Sequence, residues 1–344
     1  MKDTSTSYDT VVGVDIAKDV FQVHLTDEST GELVKKAVSR KKFLDFFANR
    51  KNCLIGMEAC GGSHYWAREL KKLGHKVKLM PGKDVKAFNP GNKDDAADAR
   101  AIWMAVQQSS VREVAVKTEE QQSILAMHKI REIKVKQRVA IINQIRGLLM
   151  EFGEVMPRGH KAIREGLGEA LERIQDRVPT MLIQTIEMMF ADARRLDEQV
   201  KEIENQLKAW AKTQEACQRL QEVPGVGLIT ATSFVATVGD AKVFKSGRQL
   251  AAFIGVAPRH IGSGGKTRVL GMSKRGDPYL RKMLIHGARA VVTLSKEPPK
   301  AVTRLLNKHA TNVVVGAMAN KMVRIMWSMM AHGTRYEKAH VCVL

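Results

Sequence analysis

Four acidic residues stand where a folded chain has little reason to place them. Asp15 interrupts the apolar run "VVGVDIAKDV", and Glu58 closes another, "CLIGME". Asp95 and Asp98 lie three apart in "NKDDAADARA", so on a helix they share one face. A carboxylate inside an apolar strand is costly unless something neutralises it, and a metal ion does so. Oxygen ligands of this hardness suit Mg²⁺ or Mn²⁺. Two such ions about 4 Å apart can clamp the attacking and leaving oxygens of a phosphodiester. Each acid also has an ordinary explanation. Asp95 and Asp98 fit a solvated first helical turn, favoured by the helix dipole, and Glu58 fits a helix cap. Asp94 shares a face with Asp98 at four residues, so the third acid is Asp94 or Asp95 on spacing alone. Taken together, the strand-centre, strand-end and helix-face acids favour a metal site.

Those acids need strands and a helix to carry them. "DTVVGVDIAKDVFQVHLTD" reads as two strands joined by a short turn, "GELVKKAVSR" as a third, and "NCLIGMEACGG" as a fourth, buried one. "SHYWARELKKLG" has helical spacing, "HKVKLM" is a short strand, and "DDAADARAIWMAVQ" is helical. The pattern predicts an α/β domain with a mixed sheet over residues 1–116. Residues 117–215 read as helical. Val135, Ile142 and Leu149 repeat every seven residues, as do Met189, Leu196, Ile203 and Trp210, with Ala193, Val200 and Leu207 between them. This is the seam of a coiled coil, although a helical hairpin packed on its own domain has the same pattern. "VMPRGHKAIREG" interrupts the two helices. Residues 216–344 form a third, mainly α segment. There "VPGVG" separates two helical stretches and resembles a helix-hairpin-helix element. Gly225 and Gly227 would let backbone N–H groups approach a phosphate beside a helix start.

The 344 residues carry 56 Lys and Arg against 36 Asp and Glu, a net charge of +20. From Ala216 onward 20 basic residues face 5 acids, so most of the excess lies in the last third. Such a field favours a polyanionic partner. Cys53, Cys60, Cys217 and Cys342 are scattered, with no C-x-x-C pair, which predicts reduced thiols in a cytoplasm. The polar start "MKDTSTSYDT" lacks the apolar core of a secretory signal, and no apolar run is long enough to span a membrane.

"GVDIAKDVFQVHL", "GMEACGGSHYWARELKKLGHKVKLMPG" and "DDAADARAI" resemble the DEDD transposases of bacterial insertion sequences. This is the one-ten family with its eleven-eleven subgroup, to which the Piv invertase is related. "VPGVGLITATSFVATVGD" and "FKSGRQLAAFIGVAPRHIGSGGKTRVLGMSKRGDPYLRKMLIHGARA" resemble its C-terminal transposase domain, so the likeness covers nearly the whole chain. The resemblance implies an RNase H-like (RuvC-like) N-terminal domain whose four acids fall on Asp15, Glu58, Asp95 and Asp98. The family's three-residue spacing favours Asp95 over Asp94. It also implies a catalytic serine, matched by Ser263 in "HIGSGGKTR". Gly262, Gly264 and Gly265 clear the space around that hydroxyl, and Lys266 and Arg268 are placed to hold a phosphate. A serine needs activation, which nearby metal ions supply. Ser273 is the rival serine, and its neighbours Lys274 and Arg275 read as phosphate contacts.

The implied activity is DNA strand exchange through a covalent phosphoserine, with the acids of one subunit acting on Ser263 of another. The implied partners are donor and target DNA and a structured noncoding RNA of the element that chooses them by base pairing. A dimer of dimers is the implied assembly. Two other readings compete. One is a metal-dependent RuvC-like junction nuclease, which needs the four acids but not Ser263, or a DNA invertase that works without an RNA guide. The other is a basic nucleic-acid scaffold without catalysis.

Overall fold

The computed structural model describes residues 10–26, 30–89, 95–264, 266–295 and 298–337, and for Asp95, Ala96, His160, Ser263 and Thr267 the backbone alone. The chain divides into two compact units, Met1–Thr118 and Glu119–Leu344.

The first unit runs β1 (Val11–Asp15), β2 (Val20–Thr26), β3 (Leu33–Ser39), α1 (Phe43–Ala48), β4 (Leu54–Glu58), α2 (Ser63–Lys72), β5 (Lys76–Met80), α3 (Gly82–Lys86) and α4 (Asp95–Val106). Its five strands form one mixed sheet in the order β3-β2-β1-β4-β5. β1 to β3 are antiparallel neighbours, and β4 and β5 extend the sheet from β1 in parallel. The continuous apolar runs became the central strands β1 and β4, as strands covered on both faces must be apolar throughout. β3 lies at an edge, and its mid-strand Lys35 and Lys36 are exposed, a pattern that discourages edge-to-edge pairing.

Side-chain alternation sorts the two faces. Val12, Val14, Ile55 and Met57 join Phe21, Phe43, Phe47, Trp66 and Leu70 in the larger core, against α1 and α2. Its aromatic rings meet edge to face, with Phe21 and Phe43 centroids 4.6 Å apart. The opposite face is cleared by two glycines. A Cβ on Gly13 would lie 2.4 Å from the Trp103 amide nitrogen, and one on Gly56 would lie 2.6 Å from Val106 Cβ. α4 can therefore rest directly on the strand backbones, and Trp103 Nε1 donates to the Val11 carbonyl at 3.1 Å.

The second unit runs α5 (Glu119–Glu151), α6 (His160–Ile174), α7 (Thr180–Thr213), α8 (Glu215–Leu220), α9 (Leu228–Val238), α10 (Gly247–Ile254), β6 (Pro258–Ser263), β7 (Lys266–Met272), α11 (Pro278–Thr293), α12 (Lys300–Leu306) and α13 (Thr311–His332). α5 and α7 pair antiparallel within the chain. Arg131 meets Glu204 at 2.6 Å, Lys134 donates to Gln199 at 2.7 Å, and Arg138 pairs with Asp197. Ala193, Val200 and Leu207 of the heptad pattern are buried. The stretch read as an interruption contains a helix, α6, which buries Ile163, Leu167, Ala170, Leu171 and Ile174. Gly166 and Gly168 dilute its helical signal, and tertiary packing of this apolar stripe outweighs them.

His128 of α5 is buried between α9 and α11. Its ring nitrogens lie 3.0 Å from the Thr232 hydroxyl and 3.1 Å from the Tyr279 hydroxyl. Lys282 of α11 meets Glu132 of α5 at 2.5 Å, so the long helices and the C-terminal helices form one packed body. β6 and β7 are a hairpin that a mainly helical reading of this segment did not include. Among the described residues no helix is long and apolar enough to cross a membrane.

Candidate active site

The alternation that puts Gly13 and Gly56 beneath α4 puts Asp15 and Glu58 on the same face, two residues further along. Val14 and Met57 are the last residues paired in the parallel register of β1 and β4. The two acids therefore leave the sheet side by side, at the carboxyl ends of adjacent parallel strands, where ligand sites of α/β sheets gather. One expectation needs correction here. Asp15 is the last residue of β1 and not the centre of a strand, because the chain turns immediately after it into β2, with Asp15 opposite Gln22. Its carboxylate is half-buried at a rim, as is that of Glu58.

Electrostatics ties the two acids to one point. The Cys60 thiol is pushed above its ordinary pKa, first by burial and then by the negative charges of Glu58 and Asp15. A single sulfur thus feels both carboxylates. Gly82, at the start of α3, gives Glu58 its room: a Cβ there would lie 2.3 Å from Glu58 Oε1.

α4 brings the remaining acids toward the same rim. It runs back along β1, with Trp103 over Val11 and the Ala99 carbonyl against Gly13. Its amino-terminal turn therefore lies toward the Asp15 end. Asp98 is half-buried and accepts from Asn89 Nδ2 at 2.7 Å. Asp95 is the first residue of α4, described by its backbone only, and Asp94 lies outside the described residues. Among the described residues, no three His, Cys, Asp or Glu side chains close into a metal-holding group. The donors still fit a hard divalent cation in kind: they are carboxylate oxygens, and their charge raises the thiol beside them.

In the second unit, Ser263 ends β6 and pairs with Lys266 across a two-residue turn. Gly264, at φ +57°, takes the first turn position, the left-handed conformation that tight hairpins demand. Gly265 lies outside the described residues. Lys266 and Arg268 are exposed on β7. Lys274 and Arg275 are exposed in the loop between β7 and α11, and Lys274 sits at φ +54°. Ser273 differs from a free nucleophile in that its hydroxyl is buried.

The two glycines of the α8–α9 turn differ. Gly225, at φ +84°, packs on α11, where a Cβ would lie 2.6 Å from the Gly287 carbonyl oxygen. Gly227 precedes α9, is exposed, and has nothing within 4 Å of where a Cβ would be.

Residues 12–153 match the DEDD transposase pattern of the IS110 type, and residues 217–303 match the "Transposase IS116/IS110/IS902 family". A "Probable family 20 transposase" of Pseudomonas aeruginosa is 40% identical over 330 residues, covering 94% of this chain and 98% of that protein. The chain belongs to the IS116/IS110/IS902 family of transposases. The "Transposase for insertion sequence element IS1111A" of Coxiella burnetii is also 40% identical, over 95% of this chain and 91% of that protein. The link to invertases is thin. The "Pilin gene-inverting protein" of Moraxella lacunata is 30% identical over 125 residues, 35% of this chain. As a member of the transposase family, the protein is an enzyme that cuts and rejoins DNA.

Three residues around the family's acid motif were not singled out in the sequence. Cys60 follows Glu58 by two positions, so its neighbourhood was available locally. Asn89 and Gly82 lie 9 and 24 positions from their partners Asp98 and Glu58, and no short-range pattern marks them.

Proposed function

We propose that this transposase cuts and rejoins DNA at a divalent-metal site on Asp15, Glu58, Asp95 and Asp98, and that Ser263 forms the covalent link to DNA. The observation that carries the reading is the placement of Asp15 and Glu58 at adjacent parallel strand ends, both acting on the Cys60 thiol. The sheet order β3-β2-β1-β4-β5, with α4 laid across β1, supports an RNase H-like domain.

Mg²⁺ or Mn²⁺, when bound, would stabilise negative charge on the phosphodiester and on its attacking and leaving oxygens. The chain's own groups do the rest. The carboxylates hold the cation and fix its place relative to the sheet. Asn89 orients the Asp98 carboxylate. The Ser263 Oγ gives up its proton and bonds to phosphorus, while the bond from phosphorus to the leaving deoxyribose oxygen breaks and that oxygen takes up a proton. Lys266 and Arg268 beside the hairpin turn hold the phosphate charge, and Lys274 and Arg275 hold the backbone further on.

The acids of one subunit act with Ser263 of another, in a dimer of dimers. The heptad residues Ala193, Val200 and Leu207 are buried within the chain, between α7 and its neighbours, so they are not the seam of that assembly. Gly227, at the open start of α9, supports a helix-hairpin-helix contact to phosphate, and Gly225 supports it by seating the turn on α11. Donor and target are chosen by a noncoding RNA of the element. The +20 charge and the low aromatic content of 5% suit recognition of nucleic-acid backbone and shape.

Two measurements test this. In a cell-based excision and joining assay, Asp15→Ala and Ser263→Ala should each abolish recombination. Normal joining by Ser263→Ala would end the serine mechanism, and joining by Asp15→Ala would end the metal-site assignment. Sequencing the RNA that co-purifies with protein expressed beside its native flanking DNA tests the guide. One discrete RNA encoded next to the gene supports it. Heterogeneous RNA or none, from an active preparation, leaves an invertase-like enzyme that reads DNA directly.

A further inference from the structure

We propose that a cavity between α10 and α13 is a second phosphate-binding site, one that grips nucleic-acid backbone away from the serine hairpin. The proposal rests on the reading of this chain as a nucleic-acid enzyme. The cavity has a volume of about 470 Å³, and Arg248, Lys321 and Arg324 line it together with the hydroxyl residues Ser246 and Ser328. No acidic residue is among those that line it. Three cations around one concavity repel one another, which favours an anion between them.

The packing explains why the charges meet. Lys321, Arg324 and Ser328 follow one another at three and four residues, so they form one face of α13. The first residue of α10 is Gly247, and a Cβ on it would lie 2.9 Å from Arg324 Cα. The helix start is thus pressed against the α13 backbone, and Arg248 faces the same hollow. Ser246 caps α10, its hydroxyl accepting the Gln249 amide at 3.3 Å. The amino-terminal end of α10 adds the positive end of its dipole to the side-chain charges.

Lys321 is the most telling member. It is only 6% exposed, whereas Arg248 and Arg324 are exposed. Lys321 thus forms part of the deeper wall of the hollow, beneath the two exposed arginines. The remainder of the lining is partly apolar, with Trp327 fixed by its Nε1 donating to the Ala241 carbonyl at 3.1 Å. A deep lysine flanked by two exposed arginines and two hydroxyl residues suits a phosphodiester. Arginines bind its non-bridging oxygens in pairs, and the hydroxyls complete the contacts. Lys242 and Lys245, both exposed just before α10, extend the positive strip along which a strand would continue.

The test is fluorescence anisotropy with the full-length protein, a labelled 30-base-pair DNA duplex, and a labelled RNA hairpin of equal length, across a salt series. The variants are Arg248→Gln/Arg324→Gln, Lys321→Met, and the control Lys208→Gln on the exposed surface of α7. The logarithm of affinity falls linearly with the logarithm of salt, at a slope of about 0.9 for each phosphate contact. The double variant should be shallower than wild type by about 2, and Lys321→Met by about 1. A change on the duplex alone assigns the cavity to DNA, one on the hairpin alone assigns it to RNA, and one on both assigns it to either backbone. The proposal is overturned if the double variant, with an unaltered thermal unfolding curve, differs from wild type no more than Lys208→Gln does. Wild-type protein that binds neither probe would instead sink the nucleic-acid reading itself.

Discussion

Asp15 and Glu58 ride on central strands whose interior residues are buried, in a five-stranded sheet with helices on both faces. Ser263 ends a strand that pairs with a single partner, in a hairpin whose apolar residues Ile261 and Val269 are 53% and 61% exposed. The carboxylates are thus held by a core, and the serine by little more than one ladder of hydrogen bonds. A two-stranded hairpin is marginally stable alone. The contrast fits the two tasks proposed for these residues, metal binding for the acids and attack on DNA for the serine. Metal ligands must be fixed before the ion arrives, because assembling charges at the moment of binding is costly. A nucleophile that reaches a bound nucleic acid gains its final order from that partner.

Seven substitutions break or sharpen this contrast, and the largest effect falls on catalysis. Glu58→Gln should lower strand cleavage by roughly a thousandfold or more while leaving the unfolding temperature of the first unit nearly unchanged, as measured by cleavage kinetics beside calorimetry. Ser263→Ala should do the same to joining, with even less effect on stability.

The next largest change is to folding. Gly13→Ala would push a Cβ to 2.4 Å from the Trp103 amide. It should destabilise the first unit by about 3 kcal/mol and spare the second, seen as the separation of two unfolding transitions. Gly264→Ala, with open space around its Cβ, should cost only about 1 kcal/mol from its positive φ. Equal losses at Gly13 and Gly264 would contradict the contrast between core and hairpin.

Each unit also carries an acid-sensitive histidine. Burial lowers His128 from 6.5 to about 4, with the charge of Arg131 acting in the same direction. Burial lowers His64 likewise to about 4, helped by Lys117, whose backbone N–H it accepts at 3.2 Å. Between those pH values the unfolded chain takes up the proton and the folded one does not. Stability is therefore complete above about pH 6.5 and declines as pH falls toward 4. The loss at His128 is on the order of 3 kcal/mol. His128→Gln should flatten the acid limb of the second unit only, and His64→Gln that of the first, as read by unfolding midpoints from pH 7 to pH 4. The smallest effect is expected at the surface, where Lys72→Ala breaks the exposed pair with Glu69 and should change stability by less than about 0.5 kcal/mol.

Much of this was legible in the residues. Apolar runs marked β1 and β4, period-seven repeats marked α5 and α7, and the excess of basic residues named the kind of partner. Asp15 and Glu58 were legible because each sits on an apolar run, and Asp95 and Asp98, which also fit an ordinary first helical turn, were legible by their three-residue spacing. The hairpin was not, because "RHIGSGGKTRVLG" is too rich in glycine and charge to carry a strand's alternation. The helix α6 was hidden for a related reason, its glycines masking an apolar stripe that only packing makes decisive.

The sequence by itself determined which side chains can do chemistry and which local periods carry them, since both depend on residues within a few positions of one another. The tertiary structure alone decided that Asp15 stands at a strand end, that the parallel register sets it beside Glu58, and that Gly13 and Gly56 let α4 close over the same face. It alone brought Arg248 to Lys321, which is 73 residues away. Such meetings depend on strand pairing and helix packing between distant segments, and no local pattern encodes them.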